Sequence, residues 1–331
     1  MKAVVYTQYG PPDVLELKEV AKPAPKDNEV LVKVHATSVN SWDWDLVTGK
    51  PFIYRLLFGF PNPKHPIIGS DIAGRVEAVG SRVTQFQPGD EVFGDISGDG
   101  FGAFAEYVCV CADVLALKSA SMSFEEAAAT PQAGVLAWQG LRQGQIQSGH
   151  QVLINGAGGG VGTFAVQIAR LFEANVTGVD RTEKLDMLRS LGAEQVIDYT
   201  QEDFTRNGEQ YDLILDVVAR RSLFDYQRAL RPGGTLVVVG GALSTIFQLP
   251  TLGRWVAKAG NRNMGLLLHK PDPDDLKTMN EFFEAGHVVP VIDRRYGLHE
   301  AAEAVRYLGA GHAHGKVVLT VEHAAREETM P

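Results

Sequence analysis

The chain has 331 residues, 45% of them hydrophobic and 21% charged, a balance typical of a globular protein too long for one ordinary core. Its net charge of −9 disfavours a nucleic-acid partner, which needs a basic stripe that is not visible, and equally an anionic membrane surface. No apolar run reaches the length of a membrane span, and Met1–Tyr6 enters a strand pattern without the apolar core and cleavage site of a signal peptide.

Lys2–Tyr6 and Leu15–Val20 read as strands around a Pro11-Pro12 turn. After the proline-rich loop Lys22–Lys26, Glu29–Ala36 alternates, with Val30, Val32 and Val34 on one face. Further strands are expected at Ile68–Val79, Glu91–Phe93 and Ala103–Val110, with a turn at Gln87–Asp90. Many short strands with almost no helix predict a compact all-β domain over residues 1–121. The only cysteines, Cys109 and Cys111, share one strand face, a poor placement for a disulfide, and predict free thiols in a reducing cytoplasm.

Ser123 opens a helix with a capping box to Glu126, and helical material continues through Leu136–Leu141. From Gln151 strands and helices alternate. The strands are Val152–Ile154, Asn175–Val179, Gln195–Ile197, Leu213–Asp216 and Thr235–Val239; the helices are Thr163–Phe172, Glu183–Leu191 and Ser222–Leu230. This alternation predicts an α/β fold, a doubly wound parallel sheet over residues 122–265, with a ligand at the C-terminal ends of its strands. Beyond Gly241 come a helix at Leu252–Ala259, a strand at Met264–Leu268, helices from Asp272 to about Ala285 and at Leu298–Leu308, and a closing strand at Lys316–Val321. The tail His323–Pro331 is polar and expected to fray.

The most informative stretch is Gln151–Gly162, a buried strand running into Gly156-Ala157-Gly158-Gly159-Gly160-Val161-Gly162 and then a helix. Glycines let the backbone approach a pyrophosphate, and the helix N-terminus supplies free N–H groups and partial positive charge. Ala157 stands where the usual fingerprint has its first glycine. Asp180 ends the second strand about twenty residues on, where a ribose-binding acid belongs.

Gly149-His150, Leu153, Ala157–Gly160, Gly162, Gln167 and Arg170 resemble the signature of the quinone oxidoreductase and ζ-crystallin group, within the zinc-free medium-chain dehydrogenase/reductase superfamily. The resemblance implies a Rossmann nucleotide domain, a GroES-like catalytic domain and a return to the latter over residues 266–331. Nicotinamide and substrate would lie in the cleft between them. It also implies a homodimer.

The two reduced nicotinamide cofactors, NADPH and NADH, divide the residues. Asp180 argues for NADH, since a carboxylate accepts from both ribose hydroxyls and repels a 2′-phosphate. Lys184 and Tyr199 match positions that hold the 2′-phosphate in NADPH-dependent relatives, and Arg181 adds charge or stacks on adenine. Three features against one favour NADPH. The resemblance also sets Val217, Gly240, Gly241 and Lys316 beside the cofactor.

Zinc members of the superfamily use an early Cys and a Gly-His-Glu segment; here Asn40 and Gly69-Ser70-Asp71 stand in those places, and no four-Cys cluster exists. His312 and His314 sit in a glycine-rich turn and read as surface histidines. The expectation is no metal, and hydride transfer to a quinone or an α,β-unsaturated carbonyl rather than alcohol oxidation. Such a reaction needs a hydrogen-bond donor for the developing oxyanion. Asn40, in a segment resembling the family's Val-Asn-x-x-Asp, is one candidate; Tyr54, in the aromatic loop Pro51–Pro61, is another. Trp44 and Asp45 occupy the stretch where relatives often carry a Tyr. Trp42, Trp44, Phe52, Phe58 and Phe60 read either as an aromatic pocket wall or as core packing. A zinc-free alcohol or ketone oxidoreductase and a non-catalytic nucleotide-binding protein are the competing readings.

Overall fold

The structure is a computed structural model and describes residues 1–323; of the tail expected to fray, all but His323 lies outside the described residues. His323 itself is held, its Nε2 2.7 Å from the Val34 carbonyl oxygen.

The N-terminal part is built from β1 (Lys2–Val5), β2 (Glu16–Glu19), β3 (Glu29–Val39), β4 (Asp71–Val79), β5 (Glu91–Asp95), β6 (Tyr107–Cys111) and β7 (Leu115–Leu117). The expected strand at Ile68 starts three residues later, because Gly69 takes φ +92 and turns the chain. The expected strand at Ala103 starts at Tyr107; before it, Ala105 makes only an isolated bridge to Ala3.

The expectation of almost no helix here is incorrect. Between β3 and β4 the chain forms α1 (Ser41–Thr48) and α2 (Ile53–Phe58), the second inside the stretch read as a loop. The Asp43 carboxylate accepts from Asn40 N–H at 2.8 Å, satisfying the start of α1, and Gly49 ends it at φ +58. Two further helices, α3 (Phe124–Ala129) and α4 (Pro131–Gln143), carry the chain away from β7.

The nucleotide-type sheet comprises β8 (Gln151–Asn155), β9 (Asn175–Asp180), β10 (Gln195–Asp198), β11 (Tyr211–Asp216), β12 (Leu230–Val238) and β13 (Asn263–Leu266). Its spatial order is β10-β9-β8-β11-β12-β13, and every neighbouring pair is parallel. Val152, Leu153 and Ile154 are fully buried, as are Leu213, Ile214 and Leu215, the pattern of strands covered on both faces. The covering helices are α5 (Gly160–Leu171), α6 (Leu185–Leu191), α7 (Leu223–Ala229), α8 (Leu243–Gln248) and α9 (Arg254–Gly260). The single helix expected at Leu252–Ala259 is replaced by α8, a π-helical turn over Leu249–Gly253 and α9. Pro250, lacking an N–H, sits in that turn.

After α10 (Pro273–Glu284) the chain rejoins the first sheet through β14 (Ile292–Gly297), α11 (Ala301–Gly309) and β15 (Lys316–Thr320). β15 pairs antiparallel with β3, setting Val317 opposite Val39 and Lys316 beside the end of β3. The strand order of the parallel sheet reverses between β8 and β11, and a crevice opens there at the C-terminal strand ends.

Candidate active site

A cleft of about 660 Å³ runs from the β8–β11 crevice to the end of β3. One wall is backbone. Gly156, at φ +80, turns β8 into the glycine loop, and Gly156, Gly159, Gly160 and Val161 line the cleft. Ala157, Gly158 and Gly162 stand behind it. A Cβ on Gly162 would run into the Gly156 carbonyl and lie 2.5 Å from Ala157 Cα, so only glycine lets α5 start this close to the turn. A Cβ on Gly159 would meet nothing nearer than 3.5 Å, so its open side faces the cleft. The first-turn N–H groups of α5 have no carbonyl within the helix and form a cradle for an anion.

Asp180 is buried at the end of β9. Its Oδ2 accepts from Gly158 N–H at 2.7 Å and its Oδ1 from Arg181 N–H at 2.9 Å. Lys184 Nζ lies 3.8 Å from Oδ1 and donates to the Ala313 carbonyl at 2.6 Å. Lys184 is therefore not on a solvated face: buried, it lines the cleft together with Asp180 and offsets that carboxylate's charge. Arg181 is left at the rim with Tyr199, its Nε donating to the phenol oxygen at 2.6 Å, and Tyr199 is 43% exposed. Val217 and Gly240 line the cleft as well, whereas Gly241 is turned to bridge Ala219.

The opposite wall is a side-chain network around buried Asp71. Its Oδ2 accepts from Ser38 Oγ at 2.7 Å, Asn40 Nδ2 at 2.9 Å and Lys316 Nζ at 3.3 Å; its Oδ1 accepts from Gln132 N–H at 2.9 Å. Burial pushes the Asp71 carboxyl up, and the Lys316 ammonium pulls it back most strongly, followed by hydrogen bonds from Asn40 and Ser38. Lys316 also donates to Asn40 Oδ1 at 2.5 Å. An ammonium only donates and a carboxylate only accepts, so the Asn40 amide has one possible orientation. Its Nδ2 further donates to Ser70 Oγ at 3.2 Å. Both amide hydrogens of Asn40 are thus engaged, and it presents no free donor to a substrate.

Tyr54, the other candidate donor, is not among the residues lining the cleft; its ring packs 6.1 Å from Trp42, which does line it. Burial raises its phenol above the ordinary value, with Asp45 adding to the rise. Of the aromatic set, Trp42 alone faces the cleft. Phe58 packs behind it at 6.0 Å, Phe52 and Phe60 pair with each other at the surface, and Trp44 fills the space beside Gly309 of α11.

Asn40, Ser70 and Asp71, the positions matched to zinc ligands, do come together, but around an ammonium. Among the described residues no group of three or more His, Cys, Asp or Glu is placed to hold a metal. The His312 ring lies tilted 6.3 Å from that of Tyr307, and the His314 backbone N–H is held by Asp293.

Two contributors escape a sequence reading. Asn155, at the end of β8, donates to both oxygens of Asp216 across the crevice at 3.0 and 2.9 Å. Burial raises the Asp216 carboxyl to about 6 despite this bond and one from Tyr226. Gln132, at the start of α4, lines the cleft beside Asn40 and Leu136. A polar residue following Pro131 in an alanine-rich, otherwise apolar stretch was the available signal.

A backbone anion cradle facing a polar side-chain network across one cleft belongs to the dehydrogenase/reductase class of enzymes. Residues 26–120 match the alcohol dehydrogenase GroES-like domain and residues 191–319 the zinc-binding dehydrogenase family. The chain is 36% identical to a 2-methylene-furan-3-one reductase of Solanum lycopersicum, over 96% of this chain and 79% of that one. It is 33% identical, over the same shares, to the chloroplastic NADPH-dependent alkenal/one oxidoreductase of Arabidopsis thaliana. The quinone oxidoreductase of Coxiella burnetii superposes with a TM-score of 0.88 at 32% identity, covering 97% of this chain and 99% of that one. The chain belongs to the quinone oxidoreductase group of the medium-chain dehydrogenase/reductase superfamily.

Proposed function

We propose that the chain is a zinc-independent, NADPH-dependent reductase of α,β-unsaturated carbonyls and quinones. The observation that carries the cofactor choice is Asp180. Each of its oxygens already accepts a backbone N–H, from Gly158 or Arg181, and the Lys184 ammonium lies 3.8 Å away, so it repels a 2′-phosphate less than an unpaired carboxylate would. Arg181 and Tyr199, at the rim, supply a cation and a hydroxyl for that phosphate. The names of the tomato and Arabidopsis relatives, an α-methylene ketone reductase and an NADPH-dependent alkenal/one oxidoreductase, support the acceptor class.

The residues present fit a dinucleotide. Gly159, Gly160 and Val161 would hold the diphosphate through backbone N–H groups, and Val217 and Gly240 would flank the nicotinamide half. Bound there, reduced nicotinamide supplies the hydride. The chain's own part is to orient the acceptor, exclude water and meet the charge that builds on its carbonyl oxygen. Asn40 acts by holding Lys316 and Asp71 in register, not by touching the acceptor.

Calorimetric titration tests the reading: NADPH binds at least about tenfold tighter than NADH, and Arg181→Ala removes most of that difference, a discrimination of about 1.4 kcal/mol. Equal or tighter binding of NADH overturns the cofactor choice; no oxidation of NADPH with either 9,10-phenanthrenequinone or a simple enone overturns the acceptor class.

The reading extends to a homodimer in a reducing cytoplasm. Cys109 and Cys111 are free thiols, and no helix among the described residues is long and apolar enough to cross a membrane. β13 is the outer strand of its sheet, and exposed Leu252 and Trp255 lie on the elements packed beside it, which supports pairing there. Light scattering at the mass of one chain would exclude the dimer.

A further inference from the structure

Six buried side-chain atoms among the described residues have no hydrogen-bond partner, and only one of them, Gln132 Nε2, belongs to a residue of the cleft. Gln132 is 3% exposed. Leaving such a donor unpaired costs about 1–3 kcal/mol, and folded proteins keep few of them. The neighbouring polar groups cannot relieve it. Asp71 already accepts from four donors, Asn40 is engaged at both ends of its amide, and two of the three Lys316 protons point to Asn40 and Asp71.

The surroundings say what the amide is for. Gln132 and Leu136 are one helical turn apart on α4, so they present neighbouring side chains to the cleft, opposite Trp42. The Gln132 backbone is pinned by its N–H bond to Asp71, so the side chain starts from a fixed point. The Lys316–Asp71 pair beside it carries no net charge to bind a carboxylate or phosphate. A neutral donor between apolar walls matches a neutral acceptor with one oxygen: a ketone, an aldehyde or a quinone.

We propose that Gln132 is the residue that donates to the acceptor's carbonyl oxygen. The inference rests on the reductase reading above. In the reaction, hydride adds to the β-carbon, the C=C pair moves to form an enolate, and negative charge settles on that oxygen; a proton from water completes the reduction. A hydrogen bond to that oxygen strengthens as the charge develops, so it favours the transition state over the bound ground state.

The test is Gln132→Leu and Gln132→Glu in the full chain, with the wild type first shown to bind NADPH by titration. Gln132→Leu lowers enone kcat/KM about 100-fold, mostly in kcat. NADPH affinity stays within about twofold, and the urea midpoint is unchanged or higher, because an unpaired buried donor has been removed. A purely structural residue would lose stability along with activity. In Gln132→Glu, activity rises as pH falls and the carboxyl becomes a donor, a titration absent from wild type. Full activity in Gln132→Leu overturns the assignment. So does a loss of NADPH affinity matching the loss of kcat/KM, which would give the amide to the cofactor instead. Failure of the wild type to bind NADPH defeats the earlier reading and is seen separately.

Discussion

The two walls of the cleft are built by opposite means. The cradle wall is backbone, and its shape comes from one stretch, Gly156–Gly162, where glycine lets a helix begin almost on top of a turn. The network wall is side chain. Ser38 and Asn40 from the end of β3, Asp71 from β4, Gln132 from α4 and Lys316 from β15 meet around one buried carboxylate. A cradle made of consecutive residues is tolerant of what happens elsewhere in the fold. A network drawn from four distant segments is coupled to all of them, so it ties β3, β4 and β15 of one sheet to α4 as well as shaping the site.

The contrast predicts which property fails first on each side. The largest effect is expected from Lys316→Met, which strands Asp71 in the interior without its cation. Breaking a buried pair in this way removes about 3–5 kcal/mol, read as a lower urea midpoint. The deficit shrinks as pH falls, because a protonated Asp71 no longer needs the ammonium. A pH-independent loss under 1 kcal/mol would mean the pair behaves as if exposed, and the network wall would lose its special status. Next comes Gly162→Ala. The added methyl meets backbone atoms of Gly156 and Ala157, which cannot rotate away, so α5 must back off. The expected loss is about 1–3 kcal/mol of stability with weaker NADPH binding. Unchanged affinity would show that the cradle has slack.

The same contrast explains what could be read from the sequence. The cradle was legible because glycine spacing, strand and helix are contiguous, and the parallel sheet followed from strand–helix alternation. Asp180 was placed at the end of β9 from the spacing, but nothing local reveals that its oxygens accept the Gly158 and Arg181 N–H groups. Asn40 was singled out, but its engagement depends on Lys316, which follows it by 276 positions. Gln132 passed unnoticed because an unpaired amide is defined by its neighbours, and those lie on other strands. The helix α1 did carry local signals, an acid three residues after Asn40 and a glycine at its end. They were overridden by the strand-rich surroundings.

A carboxylate outside both walls sharpens the comparison with its smallest effect. Asp45, on α1, belongs to neither wall, and burial raises its carboxyl to about 7. The unfolded value is near 3.9, so between these pH values the folded chain holds more protons than the unfolded one. The contribution is therefore intact below about pH 4 and is lost as pH rises through about 7. Asp43, pushed to about 7, and Asp216, pushed to about 6, act in the same direction. Wild-type Tm is expected to fall between pH 5 and pH 8. Asp45→Asn, which cannot ionise, recovers only its own share, about 1 °C at pH 8 and less at pH 5. An equal shift at both pH values would point to packing in place of ionisation. A lower Tm at pH 8 would mean that the Asp45 carboxylate has a stabilising partner that the amide does not replace.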